Sequence, residues 1–349
     1  MIYIAAWCFC LVMLLCSVRF PDHARWHCTL AVCVVGVVAI FRGATGTDTV
    51  AYEQLSMQVR ESGIFTVGVE PFFGLLLKAL QQTGLADTGV VRLVSGLEVA
   101  LLLAYVWRSV PNEQYLLLSV ILPVFFYEFS MNALRIGLAS ILFLCAMQWV
   151  ARQRQLGTTS LALAVASCVT HYTAVLYPVF LVSTLRRWSF RFLLGGAILC
   201  GLAVIAVILM NSAYLISRLH SYSAFPAPSR FSGLASIVQN AAVSMAIWKS
   251  TLSHGQKLRL LSAMWLVAAC FFGVVQFSYA GLRLLELVVF IAPLATVYAH
   301  EIEGKLMNAS ARIWLFAFGL VSMVFVFRRF LVESPDSLAP FLPYRLIFS

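Results

Sequence analysis

One polar stretch near the N-terminus combines residue types that could bind phosphate and transfer protons. It runs Arg42-Gly-Ala-Thr-Gly-Thr-Asp48-Thr-Val-Ala-Tyr52 and continues to Glu70-Pro-Phe-Phe. It offers a guanidinium, carboxylates and hydroxyls, and its glycines let a backbone approach a ligand closely. It contains no Walker lysine and no GxGxxG pattern. Taken alone, it is also compatible with an ordinary polar loop.

Two further groups place an arginine at the edge of an apolar run. Such a residue is costly in lipid unless it faces a partner, water or an anionic ligand. Arg135 follows Asn132 at the start of one run, where an ion pair with Glu128 is the structural alternative. Arg283 has Glu286 three residues further on, and these two side chains could neutralise each other.

The remaining candidates are one histidine, one carboxylate and one loop. His171 stands alone between apolar runs, and such a histidine is often a structural residue. Glu98 lies inside an apolar run and would pair with one of the arginines. The segment 211–232 suits either a sugar-binding lid or a plain interfacial loop. Its polar and aromatic members are Tyr214, Arg218, His220, Tyr222 and Arg230.

The elements that carry these residues are membrane helices. Hydrophobic residues make up 62% of the 349 residues and charged residues 11%, against roughly 25% charged in a soluble domain. The net charge of +10 comes from residues at the ends of apolar runs, as the positive-inside rule expects, so nucleic acid is not an expected partner. The nine cysteines include no CxxC pair, which argues against a zinc site or a disulfide framework. We therefore predict an all-α, polytopic integral membrane protein with a single transmembrane domain over residues 1–349.

The apolar runs predict about twelve transmembrane helices, with both termini on the outer face. Short basic loops are assigned to the inside, which places segments 42–88 and 211–232 outside. The run 70–83 is shorter than the roughly 20 residues of a spanning helix, so it predicts a re-entrant outer helix. Two short runs within 158–185 predict a hairpin that places His171 on the floor of an outer cavity. The twelve runs are 2–18, 27–41, 89–107, 114–130, 133–151, 158–171, 173–185, 190–210, 233–249, 260–278, 282–299 and 313–331.

The order and spacing of these pieces resemble the EpsG/Wzy-like family of bacterial polysaccharide polymerases. The resemblance extends from about residue 40 to about residue 300. After Arg283 the chain has Leu284, Leu285 and Glu286, where the family often has an aromatic residue. The matching pieces are Arg42…Gly46-Thr47-Asp48…Tyr52, Glu70-Pro71-Phe72, Asn132…Arg135…Ala139, Thr170-His171-Tyr172-Thr173 and the helix from Arg283 to Pro293.

The resemblance implies a membrane-embedded, GT-C-like glycosyltransferase at the periplasmic face of the bacterial inner membrane. Such a polymerase moves a glycan from one undecaprenyl diphosphate carrier to a sugar hydroxyl on a second carrier. Arginines are then expected to stabilise the diphosphate in place of a metal ion. No cofactor is expected. The expected partners are the donor and acceptor lipids, the bilayer and a polysaccharide chain-length regulator.

Under this interpretation, a general base must accept the proton of the acceptor hydroxyl. The candidates are His171, Asp48 and Glu70, and His171 is favoured because imidazole titrates near neutrality. The alternatives are a lipid-linked glycan ligase, a single-sugar transferase, an acyltransferase and a flippase for a lipid-linked sugar, although no internal repeat supports a transporter. The residues expected to bind diphosphate or substrate are Arg42, Arg135, Arg283, Asn132, Tyr52, Arg218 and Arg230.

Overall fold

A computed structural model describes residues 2–64, 69–153, 157–182, 231–332 and 341–347. Within these ranges the chain is helical, and no strand is present. The α-helices are α1 (Ile2–Arg19), α2 (Ala24–Ile40), α3 (Thr49–Ser62), α4 (Pro71–Gln81), α5 (Asp87–Arg108), α6 (Pro111–Leu116), α7 (Leu134–Gln153), α8 (Thr158–Thr170), α9 (Leu176–Val182), α10 (Leu234–Trp248), α11 (His254–Val275), α12 (Ala280–Glu303) and α13 (Ala309–Val332).

Seven helices in the described ranges are long and apolar enough to cross a membrane. They are α1, α5, α7, α11, α12, the segment Pro21–Ile40 that contains α2, and Ala309–Leu331 within α13. This confirms the predicted all-α, polytopic membrane protein. The other five predicted runs correspond to short helices, to an irregular helix or to residues outside the described ranges. The count of twelve spans therefore stays a prediction, as does the placing of both termini outside.

The chain packs as two compact units. The first comprises residues 1–174 and 316–349, and the second comprises residues 175–315. In the first unit, α3, α4, α5 and α7 share an apolar cluster centred on Phe73, Leu77, Val91 and Leu138. In the second unit, α12 packs against α9, α10 and α11. Nothing in the sequence predicted this division, and the single transmembrane domain stays a prediction.

Two short helices of the first unit lie directly next to predicted site residues, since α4 follows Glu70 and α8 precedes His171. Helix α4 has 11 residues, or about 16 Å at 1.5 Å per residue, which is too short to span a bilayer. Its first residue is Pro71, which is well suited to a helix start because it has no N–H to leave unpaired. Helix α8 has 13 residues and ends before His171, whose backbone is extended. The predicted short helices are confirmed, while their depth in the membrane stays a prediction.

An irregular helix ends at Asn132, a third predicted site residue. After α6 the chain continues through two π-helical segments, Leu117–Phe125 and Glu128–Asn132. Segments of π-helix are rare and often occur at functional sites. The helix stops at Asn132, and α7 begins two residues later. The first turns of α7 lie close to this helix end, because a Cβ on Gly137 would lie 2.6 Å from the Phe129 carbonyl oxygen.

We predict that Gly137→Ala destabilises the protein by about 1–3 kcal/mol, as overpacking in a filled interior does. The added methyl group would also lie 2.9 Å from Oε1 of Glu98. Thermal unfolding in detergent would measure the effect. Gly273→Ala is the matched control, since it lies in α11 and its Cβ would meet no atom within 4 Å. Equal melting temperatures for the two variants would contradict the close packing around Gly137.

Candidate active site

The carboxylate of Glu70 joins three predicted site residues into one cluster. Its Oε1 lies 2.8 Å from Nδ1 of His171, and its Oε2 accepts a hydrogen bond of 2.6 Å from the guanidinium of Arg135. The Glu70 side chain is only 2% exposed, while Arg135 and His171 are 16% and 24% exposed. The cluster is therefore anchored by a buried anion, and the histidine is its most accessible member.

The hairpin of α7 and α8 brings Arg135 and His171 to the same carboxylate. Arg135 lies in the first turn of α7, and His171 directly follows α8. The two helices are joined by the Ser167 hydroxyl, which donates to the carbonyl of Ala139 at 2.7 Å. The His171 N–H donates to the carbonyl of Ser167 at 3.2 Å. The backbone at the histidine is thus tied to the helix that precedes it.

The pairing keeps Glu70 ionised despite its burial. Burial by itself would raise the pKa of this carboxyl group. The hydrogen bond with His171 and the charge of Arg135 outweigh that effect and lower its pKa from 4.5 to about 2. Glu70 therefore carries a full negative charge at neutral pH. A carboxylate with so low a pKa is a weak general base, since catalytic bases work best with a pKa near the operating pH.

The charge on Glu70 also determines which nitrogen of His171 carries the proton. An ionised carboxylate only accepts hydrogen bonds, so Nδ1 of His171 must be the donor in this contact. In the neutral imidazole, Nε2 then carries the free lone pair. Nε2 makes no hydrogen bond to any residue that the structure describes. A base held by a carboxylate, with its other nitrogen available, is the arrangement that activates hydroxyl groups in many enzymes.

Tyr52 links this cluster to Asp48. The guanidinium carbon of Arg135 lies 5.9 Å from the centre of the Tyr52 ring. Burial raises the pKa of Tyr52, the positive charge of Arg135 opposes that rise, and the negative charge of Asp48 adds to it. The side chain of Tyr52 therefore lies within electrostatic reach of both Arg135 and Asp48.

Asn132 fixes the segment that carries Asp48. Its side-chain oxygen accepts hydrogen bonds from the Thr47 hydroxyl at 2.5 Å and from the Asp48 N–H at 2.8 Å. Its amide nitrogen donates to Glu128 at 3.1 Å. Gly46 has a φ of +98°, which favours glycine, and a Cβ there would lie 2.6 Å from the Met131 carbonyl oxygen. The segment is therefore docked closely on the end of the irregular helix.

Arg42 precedes this segment in the same loop, and its side chain is completely buried. One of its terminal nitrogens donates to the carbonyl of Ala39 at 2.7 Å and to the hydroxyl of Ser95 at 2.8 Å. The other has no hydrogen-bond partner among the described residues, and neither has the buried carboxylate of Glu98. Burial lowers the pKa of Arg42 to about 9, and the interaction with the carboxyl group of Glu98 opposes this shift without cancelling it.

Comparison with known protein families identifies the family to which the chain belongs. A family model described as the EpsG family matches residues 25–346. The chain belongs to the EpsG family. No curated protein and no solved structure matches the chain. Membership of the EpsG family supports a membrane glycosyltransferase of polysaccharide biosynthesis, and the matched range includes every residue of the cluster around Glu70.

The first unit of this EpsG-family protein brings together six of the predicted site residues. Arg283 belongs to the second unit, where it lies 3.4 Å from Glu286, as the sequence allowed. Arg218 and Arg230 lie outside the described residues. The role of Arg42 as a diphosphate ligand stays a prediction, and in this conformation its guanidinium is covered. The residues that lie near one another are Asp48, Tyr52, Glu70, Asn132, Arg135 and His171.

One alternative from the sequence is wrong, and two features were missed. Glu128 does not pair with Arg135, because Arg135 binds Glu70 while Glu128 lies 3.5 Å from Arg329. Arg92 was missed, although it lies in an apolar run and therefore needed a partner; it forms an ion pair with Glu53. The C-terminal residues 341–347, which contact the segment around Arg42, were also missed, since no motif marks them.

The lowered pKa of Glu70 predicts a specific loss of stability in acid. Its folded-state pKa lies below the ordinary value, so the stabilisation is complete above about pH 4.5 and is lost as the pH falls towards 2. The full contribution is about 3 kcal/mol. Thermal unfolding of the wild-type protein and of Glu70→Gln in detergent should therefore differ most above pH 5 and converge below it. A difference that does not change with pH would contradict the ion pairing.

Proposed function

We propose that this EpsG-family protein is a polysaccharide polymerase acting at the periplasmic face of the inner membrane. It transfers a glycan from one undecaprenyl diphosphate carrier to a sugar hydroxyl on a second carrier-linked repeat unit. The observation that carries this proposal is the contact of His171 and Arg135 with one buried carboxylate, Glu70. It supplies a positioned base and a positioned cation, which are the two groups that this transfer needs.

His171 is proposed to accept the proton of the attacking hydroxyl. The hydroxyl oxygen forms a bond to the anomeric carbon of the donor sugar while that carbon's bond to the phosphate oxygen breaks. The hydroxyl proton moves to Nε2 of His171, and the bonding electrons leave with the diphosphate. Glu70, which accepts the hydrogen bond from Nδ1, holds the imidazole in place and stabilises the imidazolium that forms.

Arg135 is proposed to stabilise the charge that develops on the departing diphosphate. A guanidinium forms charge-assisted, forked hydrogen bonds with phosphate oxygens. The contact with Glu70 fixes this side chain before substrate binds, and groups already oriented in a low-dielectric site stabilise a transition state more than mobile ones. The sugars are proposed to contact the residues that lie near Arg135 in the same cluster, which are Asp48, Tyr52 and Asn132.

We predict that the purified protein in detergent forms a ladder of longer glycans from synthetic undecaprenyl-diphosphate-linked repeat units. The ladder should persist in EDTA, since arginine is proposed to replace a divalent cation. Product length on a gel would measure the reaction. Addition of one sugar only would indicate a single-sugar transferase, and transfer to a different acceptor lipid without a ladder would indicate a ligase. Movement of the lipid across liposomes without new glycosidic bonds would indicate a flippase and would contradict the catalytic roles.

We predict that His171→Gln lowers the rate of polymerisation by about 10²–10⁴-fold, the usual contribution of a general base. Glutamine keeps a hydrogen-bonding side chain of similar size but cannot accept the proton. His254→Gln is the matched control, because His254 is exposed at the start of α11. If His171→Gln kept nearly full activity while Asp48→Asn abolished it, the base would be Asp48.

A further inference from the structure

The C-terminal segment Phe341–Ile347 is bonded along its backbone to the loop that carries the predicted site residues. We call residues 41–48, between α2 and α3, the Arg42 loop. The Gly43 N–H donates to the Arg345 carbonyl at 2.8 Å, and the Ile347 N–H donates to the Phe41 carbonyl at 3.0 Å. The Arg345 N–H donates to the Thr45 hydroxyl at 3.2 Å. The segment therefore lies antiparallel beside the loop, like the second strand of a short ladder.

Side chains in the interior hold this segment in place. Phe341 is completely buried, and its ring stacks on that of Phe330 with 4.0 Å between the ring centroids. The Tyr3 hydroxyl donates to the Phe341 carbonyl at 3.2 Å, and the Tyr344 hydroxyl donates to the carbonyl of Val38 at 2.8 Å. The segment is thus fixed to α1, α2 and α13, and its backbone position does not depend on the side chain of Arg345.

Gly43 is the residue of the loop that this contact constrains most. Its N–H donates to Arg345, and its carbonyl accepts a hydrogen bond of 2.8 Å from Arg92. A Cβ at this position would lie 2.7 Å from the carbonyl oxygen of Leu346. Because that obstacle is backbone, a larger residue could be accommodated only by moving the segment. Glycine at position 43 therefore allows the segment to lie directly against the loop.

The contact leaves one guanidinium exposed beside the Arg42 loop. The side chain of Arg345 is exposed and makes no ion pair with any described residue. In contrast, Arg42 is buried, Arg92 pairs with Glu53, and Arg135 pairs with Glu70. When the backbone that carries a cationic side chain is already ordered, ligand binding costs less conformational entropy. An arginine without a carboxylate partner can offer its full fork to an anion.

We propose that Arg345 binds a phosphate group of the lipid diphosphate substrate, and that the C-terminal segment positions it for this contact. The inference rests on the proposed function, which brings a lipid diphosphate to the Arg42 loop. Arg345 then acts in substrate binding, whereas Arg135 acts on the charge that develops during the reaction. The two roles predict different kinetic effects, since a contact made equally in the ground state and the transition state changes KM and not kcat.

Arg345→Ala tests this assignment, because it removes the guanidinium and keeps every backbone hydrogen bond of the segment. We expect the KM for the lipid-linked donor to rise at least about tenfold, the effect of losing one charge-assisted contact, while kcat stays within about threefold. Binding of sugar-free undecaprenyl diphosphate in detergent should weaken by the same factor. Arg345→Lys should restore part of the affinity, since lysine keeps the charge but not the fork.

Arg60→Ala is the matched control, because it also removes one exposed cation, which pairs with Asp87 at 3.0 Å. Its affinity for undecaprenyl diphosphate should equal that of the wild-type protein.

If Arg345→Ala binds the lipid as tightly as Arg60→Ala while the wild-type protein polymerises, the inference is wrong and the proposed function stands. If the wild-type protein neither binds the lipid nor polymerises, the proposed function is wrong as well. If Arg345→Ala has a lower melting temperature than the wild-type protein, Arg345→Lys is the deciding variant. An Arg345→Lys protein that melts like the wild type but binds the lipid as weakly as Arg345→Ala would contradict a role for the positive charge.

Discussion

The ionised carboxylate of Glu70 is the interaction on which the arrangement of the site depends. A buried negative charge is expensive unless paired and hydrogen-bonded, and here a guanidinium and an imidazole share that role. Breaking a buried pair by removing one partner typically costs 3–5 kcal/mol, because it strands the other charge. The same requirement places α4, α7 and the end of α8 next to one another. The chemistry proposed for Arg135 and His171 therefore uses residues that the fold already has to hold together.

The same constraint recurs at two further buried charges of the first unit. Arg92 forms an ion pair with Glu53. Glu113 is completely buried and accepts hydrogen bonds from Gln148 and Arg152. In an interior surrounded by apolar helices, opposite charges must be supplied by other helices because water cannot enter to solvate them. These pairs connect segments that are far apart in the sequence, and they thereby link the helices of the unit to one another.

Residue types and apolar runs predicted the membrane class, the long helices and the residues that form the cluster. What they could not predict is which partners meet. Glu70 and Arg135 are 65 positions apart, and periodicity carries no information about such contacts. The pairing of Arg135 with Glu128 was the alternative because the two are close in sequence, but the helix breaks at Ala133 between them. The π-helical segments were not predicted either, since nothing in the apolar run 114–130 distinguishes them from an α-helix.

The contact between the Arg42 loop and the C-terminal segment has a consequence for the order of assembly. Thr45 and Arg345 are 300 positions apart, so the loop is synthesised long before its partner. The membrane helices that precede the loop would enter the bilayer while residues 341–347 are still to be translated. Since domains generally fold from the N-terminus during synthesis, the loop must remain without its neighbouring C-terminal segment until residues 341–347 have been translated. Synthesis of this late segment, and not insertion of the first helices, is then the event that closes this part of the protein.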